Sequence, residues 1–402
     1  MMKYVSFLIR SSFEDLRRNK IRTFLTALGI LIGVFSVVLL IAFGLGLKNY
    51  IQEQFNSLGT NLIIILPGQI LKGGNFNSGA GLGGVTFDEK DVARLKRIES
   101  VQSIAPAYTK SIAVEANGLS ESSDLAASTP EFFPVRNFEI DTGMFFTQTD
   151  YDKRAKKVVL GNKIAEKLFG TAGAAVGKSI RLENLGFTVI GVIKKKGGGG
   201  FGGPDLDSFS FVPFTSVLSL NPEKKFLSVF LKARTKEDIP LIKFYAKREL
   251  LRRYEEDDFS VVEQTEILNA VTSIFSVLNS ILVAIGSISL LVGGVGIMNI
   301  MYASVMERTK EIGIKRSVGA RRSDVLYQFL SEAVLLSVFG GSLGLFIAVA
   351  VVLLIQPVFP ASINFYSVLV ALGVSSVIGI FFGVFPAVKA ANLSPIDAIR
   401  YE

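Results

Sequence analysis

The chain contains no cysteine and no histidine. Disulfides, thiolate nucleophiles, Cys/His metal sites and imidazole acid–base chemistry are excluded together. Carboxylate chemistry and oxygen-ligated metals stay open. Charge is also missing, but only locally. Residues 23–47, 267–306 and 333–388 hold no Asp, Glu, Lys or Arg. A complete phosphate-binding loop is lacking as well. Gly173-Ala-Ala-Val-Gly177-Lys178-Ser179 is one residue short of the required spacing. It is followed by a strand-like run, so no helix N-terminus would meet a phosphate. The glycines at 197–203 after Lys194-Lys195-Lys196 read as a solvated loop, not as a dinucleotide site.

What is present is apolar mass with a polar region inside it. The 402 residues allow two to four domains. Hydrophobic residues make up 49%, charged residues 19%, and mean hydropathy is +0.45, which points to a membrane protein with a soluble part. The net charge is +8. Residues 48–266 carry 29 basic and 27 acidic side chains, which leaves 14 against 8 for the rest. The basic excess therefore flanks the apolar runs. That pattern sets membrane topology and speaks against a nucleic-acid-binding face.

In chain order, residues 1–22 form a basic amphipathic helix on the inner membrane surface, with Val5, Leu8, Ile9, Phe13 and Leu16 on one side. Residues 23–47 make the first span, a retained anchor with the N-terminus inside. Residues 48–266 alternate strand and helix patterns. Strands are expected at 62–66, 111–116, 157–160, 179–182, 187–193, 209–213, 225–231 and 259–262, and helices at 88–98, 163–169 and 237–254. Two lobes are expected, one from about 50–125 and 223–265, the other inserted at about 126–222. Glycine-rich stretches at 72–84 and 197–203 read as mobile loops. Residues 267–306 read as a stalk continuous with the second span, with Gly293, Gly294 and Gly296 allowing close helix approach. A third span at 325–355 and a fourth at 365–388 flank an outer turn at 356–364 that holds two prolines. Gly340 and Gly344 are packing positions in the third. Residues 389–402 are a cytoplasmic tail. Tyr50, Tyr302, Tyr327 and Tyr366 fall near span ends. The fold class is thus an α-helical membrane protein with four transmembrane helices and a large α+β extracytoplasmic domain between the first two.

The charged block at 307–324 is the most informative segment. Glu311 precedes Lys315 by four residues, Gly319 can end a helix, and Ser323 can cap the next. Ile312, Ile314 and Val318 give it an apolar side. A positive-inside loop needs neither the glutamates nor that side, so a docking helix is expected. The paired carboxylates at 205/207 and 255–258 sit in turn-like context and suggest no catalysis. The spans hold no ionisable residue between their charged ends, which disfavours an intramembrane enzyme.

Particular stretches carry a family resemblance. Residues 307–320, ERTKEIGIKRSVGA, with Gln328-Phe-Leu-Ser-Glu-Ala333 and Gly340-Gly341, resemble the permease part of MacB-type ABC transporters, the MacB/FtsX/LolC group. So do Asn19-Lys-Ile-Arg-Thr-Phe-Leu at the start, Gly143-Met-Phe-Phe146 and Val176-Gly-Lys178 in the polar region, and Ser394-Pro-Ile-Asp-Ala-Ile-Arg-Tyr-Glu402 at the end. MacB carries its ATPase ahead of the permease, whereas this chain starts at the membrane helix. The resemblance therefore implies a stand-alone permease subunit that is not itself an enzyme. It implies a homodimer in the plasma (inner) membrane of a prokaryote, bound to separate ABC ATPase subunits that hold ATP and Mg, with a MacA-like adaptor as a further partner. This chain then needs no cofactor or metal. Coupling is expected at Glu307, Arg308, Glu311, Gly313, Gly319 and Ala320. The implied mechanism is mechanotransmission: ATP-driven closure inside moves the outer domain and drives efflux of antibiotics, peptides or similar cargo. The alternatives are an FtsX-like relay that activates an outside partner, and LolC/E-like lipoprotein extraction.

Overall fold

The structure, a computed structural model, describes residues 20–57, 61–72, 75–76, 85–196, 205–357 and 359–400. Residues 1–19 of the expected amphipathic helix at 1–22, and most of both glycine-rich stretches, lie outside these residues. The described residues fall into two compact units, one within 1–50 and 273–402, the other within 51–272.

Four helices among the described residues are long and apolar enough to cross a membrane, and most of each falls in the first unit. They are α1 (Lys20–Ser57), α8 (Gln264–Glu307), α10 (Arg322–Ile355) and α11 (Phe365–Ala391). Helix α1 continues ten residues past the expected end of the first span. Helix α8 is one element of 44 residues, about 66 Å at 1.5 Å per residue and so roughly twice a 30 Å hydrocarbon core.

Helices in lipid gain nothing from hiding apolar surface from their neighbours, so close backbone approach has to hold them together. Glycines supply it here. A Cβ on Gly293 of α8 would stand 2.8 Å from the Gly29 carbonyl group of α1. One on Gly340 of α10 would stand 2.8 Å from the Ala27 carbonyl oxygen, and one on Gly344 2.5 Å from that of Leu31. Gly294 lies under the Phe382 ring of α11, and Gly379 and Gly383 of α11 face Ser337 and Ala333 of α10. Gly296, expected to pack alike, has nothing within 4 Å of its Cβ position among the described residues.

The second unit is built on a ten-stranded mixed sheet of order β12-β1-β11-β4-β5-β10-β7-β9-β6, with β8 paired to β4 and β9. The strands are β1 (Leu62–Pro67), β4 (Val101–Ala116), β5 (Leu119–Ser128), β6 (Ile140–Gly143), β7 (Lys157–Leu160), β8 (Ser179–Leu182), β9 (Leu185–Ile193), β10 (Phe209–Pro213), β11 (Ser228–Ala233) and β12 (Phe259–Glu263). A separate two-residue ladder joins β2 (Leu71–Lys72) and β3 (Asn75–Phe76). Strands β7, β8 and β10 fall at the expected residues. β4 begins ten residues earlier than expected, and β5 and β6 were not anticipated. Asn117-Gly118, both at positive φ, make the tight turn between β4 and β5.

Alternation along the strands sends side chains to two different cores. Ile63, Leu125, Val212, Val229 and Leu231 point into one. It is covered by α2 (Glu89–Lys96), α5 (Asn162–Phe169) and α7 (Ile239–Leu250), through Leu95, Ile164, Leu168, Ile242 and Leu250. Arg253 ties the end of α7 to the start of α2. Its guanidinium lies 2.9 Å from the Asp88 carboxylate and 2.7 Å from that of buried Asp91, which also accepts from the Tyr254 hydroxyl at 2.7 Å. Leu62, Ala126, Phe209, Phe211 and Phe230 point into the other core, beneath α3 (Phe132–Val135). The short α4 (Gln148–Asp152) and α6 (Ala172–Ala175) complete the unit. Strand β8 follows the turn at Gly177 directly, so the lysine at 178 opens no helix.

Gly344→Val forces its new side chain against the α1 backbone, whereas Gly296→Val meets open space. We expect the first to lower the thermal unfolding temperature of the detergent-solubilised chain by several degrees and the second to leave it within about one degree. Equal shifts would mean that the α1–α10 contact does not set stability.

Candidate functional site

The charged block folds as α9 (Thr309–Ser317), separated from α8 by the single residue Arg308. The break is made locally. The Thr309 hydroxyl donates to the carbonyls of Val305 at 3.0 Å and Met306 at 2.8 Å, closing the end of α8. Arg308 sits at φ −99° and ψ 13°, where it can turn the chain and present its guanidinium sideways.

That guanidinium is the centre of the site. Its Nε lies 3.2 Å from the Glu311 carboxylate. Its Nη1 lies 3.5 Å from Glu332, and the group stands over the Phe329 ring at 5.5 Å. Glu332 lies about three turns into α10, with a side chain only 9% exposed. The expectation of spans without ionisable groups is therefore corrected: α10 carries one, and it stays there because Arg308 meets it. Glu311 also meets Lys315 at 2.8 Å. Burial pushes the Glu311 carboxyl up, but Arg308 and Lys315 outweigh it and hold the group at about 2. Its pairing thus contributes fully above the unfolded carboxyl range and is lost as pH falls from about 4.5 through that value.

The far end of α9 is closed by Gly319 at φ +108°. Its N–H donates to the Arg316 carbonyl at 3.2 Å, and the Ala320 N–H donates to that of Lys315 at 3.1 Å. This paired closure needs a left-handed residue, which glycine adopts without strain. Helix α10 then starts with the Asp324 carboxylate accepting from the Arg321 N–H at 2.9 Å. Ser323, the expected cap, lies inside the first turn. Arg316 reaches across to the end of α11, donating to the carbonyls of Ala391 at 2.7 Å and Leu393 at 3.1 Å.

The apolar residues of α9 divide. Ile312 is 3% exposed and packs with Val305, Val325, Phe329 and Ala387, while Ile314 and Val318 are 52% and 85% exposed. The expected common apolar side is thus two: one residue fastens the connector and two stand free. Of the expected coupling residues, Arg308 and Glu311 meet, Gly313 is buried, Glu307 is exposed, and exposed Gly319 and half-buried Ala320 form the closing turn. Arg316 and Glu332 were not singled out. Glu332 lay inside the Gln328–Ala333 motif, and its signal is a lone carboxylate ahead of 56 uncharged residues.

Family models match in two blocks: a MacB-like periplasmic core domain over residues 23–248 and an FtsX-like permease C-terminal domain over 270–395. The chain belongs to the MacB-like family of ABC permeases. Proteins named macrolide export ATP-binding/permease protein MacB are similar along nearly the whole chain. The one from Bdellovibrio bacteriovorus is 35% identical across 98% of this chain and 61% of its own length. That from Chlorobaculum tepidum is 35% identical across 100% and 62%. The chain thus spans about three fifths of the length of these curated relatives. Solved structures with likeness include the periplasmic region of MacB from Actinobacillus actinomycetemcomitans, with TM-score 0.46 and 19% identity over 55% of this chain and 97% of that one. Another is the extracellular domain of the noncanonic ABC-type transporter YknZ from Gram-positive bacteria, with TM-score 0.40 and 19% identity over 50% and 100%. Four apolar helices among the described residues, in an ABC permease family, make this an inner-membrane protein.

Removing Arg308 leaves Glu332 buried without its cation. Arg308→Met should destabilise the helical unit by about 3 kcal/mol, and Arg308→Met with Glu332→Met should recover most of that loss. Denaturant unfolding of the four variants of the cycle reads the coupling. Additive losses would show that the pair does not hold the connector.

Proposed function

We propose that this chain is the permease of a MacB-type exporter and that α9 is where it receives force. The energy would come from an ABC ATPase outside residues 1–402, using ATP and Mg, and the relatives' printed name supports such a pairing. The observation that carries the reading is the division of α9. Its inner side is fastened to α8, α10 and α11 through Arg308, Ile312 and Arg316, while Ile314 and Val318 stand exposed. A large apolar side chain free at the tip of a charged connector suits a docking contact better than a solvent-facing loop. A push there would be felt by three of the four apolar helices at once.

In this reading the connector and both termini are cytoplasmic, in keeping with Lys310, Lys315, Arg316, Arg321 and Arg322 around the tip. The polar domain of residues 48–266 then lies outside. Helix α8, continuous from Gln264 to Glu307, is the element through which ATP-driven motion would reach it. Two copies of the chain would work on two ATPase subunits, with a MacA-like adaptor where a second membrane has to be crossed. Cargo would be expelled by motion of the outer domain and need not pass between the helices.

Val318 packs against nothing that its loss would disturb, so Val318→Asp tests docking without touching the fold. The expected result is at least a tenfold fall in permease-stimulated hydrolysis by the partner ATPase, equivalent to about 1.4 kcal/mol, with the unfolding temperature unchanged. Stimulation within twofold of the parent chain would remove α9 from the coupling path.

A further inference from the structure

The outer-domain sheet holds a cavity of about 430 Å³ that transport by motion alone does not require. This lies at the lower end of the size of small-molecule sites, roughly 300–1,000 Å³. Its deep wall is apolar, made by Phe132, Leu206, Phe209, Phe211 and Phe230, all buried. Its rim is mixed, with exposed Lys110, Ser111 and Leu227 and half-buried Asp124. Both rim charges are engaged: Lys110 pairs with Glu183 at 2.8 Å, and Asp124 accepts from the Ser111 hydroxyl.

Arg136 lines the same cavity and is only 9% exposed. Among the described residues its Nε has no hydrogen-bond partner. Among the described residues no carboxylate pairs with it. Its guanidinium lies against ring faces instead, 4.7 Å from the Phe230 centroid and 5.8 Å from that of Phe132. Burial pulls its pKa down to about 10. Ring faces attract a cation but satisfy none of its donors. A second cation stands behind it. Lys196 Nζ donates to the carbonyls of Arg136 at 2.7 Å and Asn137 at 2.6 Å, over the Phe138 ring. The carboxylates that act on Lys196 are also engaged: Glu139 with Lys194 at 2.7 Å, and Asp207 with the Lys196 N–H at 2.8 Å.

We propose that this cavity binds a small amphiphile, with an apolar body against the phenylalanines and one carboxylate-type anionic head on Arg136. Buried charges are normally paired with an opposite charge and hydrogen-bonded, and among the described residues this one has no carboxylate and its Nε no acceptor. A planar fork of donors at the end of an apolar cavity matches a carboxylate, which can accept two of its N–H bonds. A neutral ligand of the same shape would fill the cavity and leave the guanidinium as it is. A cationic one would be repelled by Arg136 and Lys196 together. Binding needs neither ATP nor a partner protein, so its failure would leave the permease reading standing, and failure of that reading would leave the site.

The test uses the full chain in lipid nanodiscs, titrated calorimetrically with octanoate and with 1-octanol, empty nanodiscs giving the partition into lipid. Octanoate should bind at least tenfold more tightly than octanol, as one charge-assisted contact requires. Arg136→Met should abolish that preference while octanol binding persists. Where Arg136→Met fails to fold, Leu227→Glu serves, because Leu227 is 42% exposed at the rim. It places a fixed negative charge at the mouth and should weaken octanoate severalfold. Equal affinity for the two ligands, no octanoate signal above empty nanodiscs, a preference that survives Arg136→Met, or octanoate affinity unchanged by Leu227→Glu would each overturn the proposal.

Discussion

A carboxylate inside an apolar helix has to be met by a cation, and Arg308 meets Glu332. The shape of the connector follows from that pairing. Arg308 is the one residue between α8 and α9, so the direction in which α9 leaves α8 is set by where its guanidinium must lie. Glu311 adds a second carboxylate from the first turn of α9, and Phe329 places a ring beneath the charge. Arg316 then fixes the other end of α9 to the last carbonyls of α11. These contacts fasten a nine-residue helix to three apolar helices and leave its tip bare. A loosely held loop would absorb a push at that tip, whereas, in the proposed reading, a connector held in this way would hand it on.

The same economy appears where the helices meet. Gly293 against Gly29, and Gly340 and Gly344 against the backbone of α1, let main chains touch where larger side chains would hold them apart. In the outer domain the controlling feature is the two-residue period of the strands, which separates an aliphatic core under helices from a phenylalanine-rich one under a short helix. The second core has little helical cover, and there the sheet keeps a cavity with a charged residue at its wall. The two units thus treat a buried charge differently: Glu332 is met by Arg308, whereas Arg136 has only ring faces beside it among the described residues.

Much of this was legible in the chain. The uncharged runs locate all four apolar helices, because hydrocarbon length and charge exclusion leave few choices. Branched and aromatic runs such as 157–160 and 209–213 read directly as strands. Strand β5, with its Ser-Glu-Ser-Ser-Asp segment, did not, because its ladder to β4 and β10 is imposed by neighbours and not by its own side chains. Asn117-Gly118 was the available signal for it. At the connector, the glycine closure at 319 was readable, but the division between Ile312 and Ile314/Val318 was not, since it depends on what packs beneath α9. Glu332 and Arg136 are single charges whose meaning comes chiefly from neighbours distant in sequence, Arg308 and Phe230.

The central claim is that the free tip of α9 is the surface an ATPase touches. The most direct measurement places a photo-crosslinking residue at position 318, and at exposed position 365 as a control, in the full chain assembled with its ABC ATPase. A covalent adduct with the ATPase is expected from 318 and none from 365. No adduct from 318, or equal yields from the two positions, would contradict the claim.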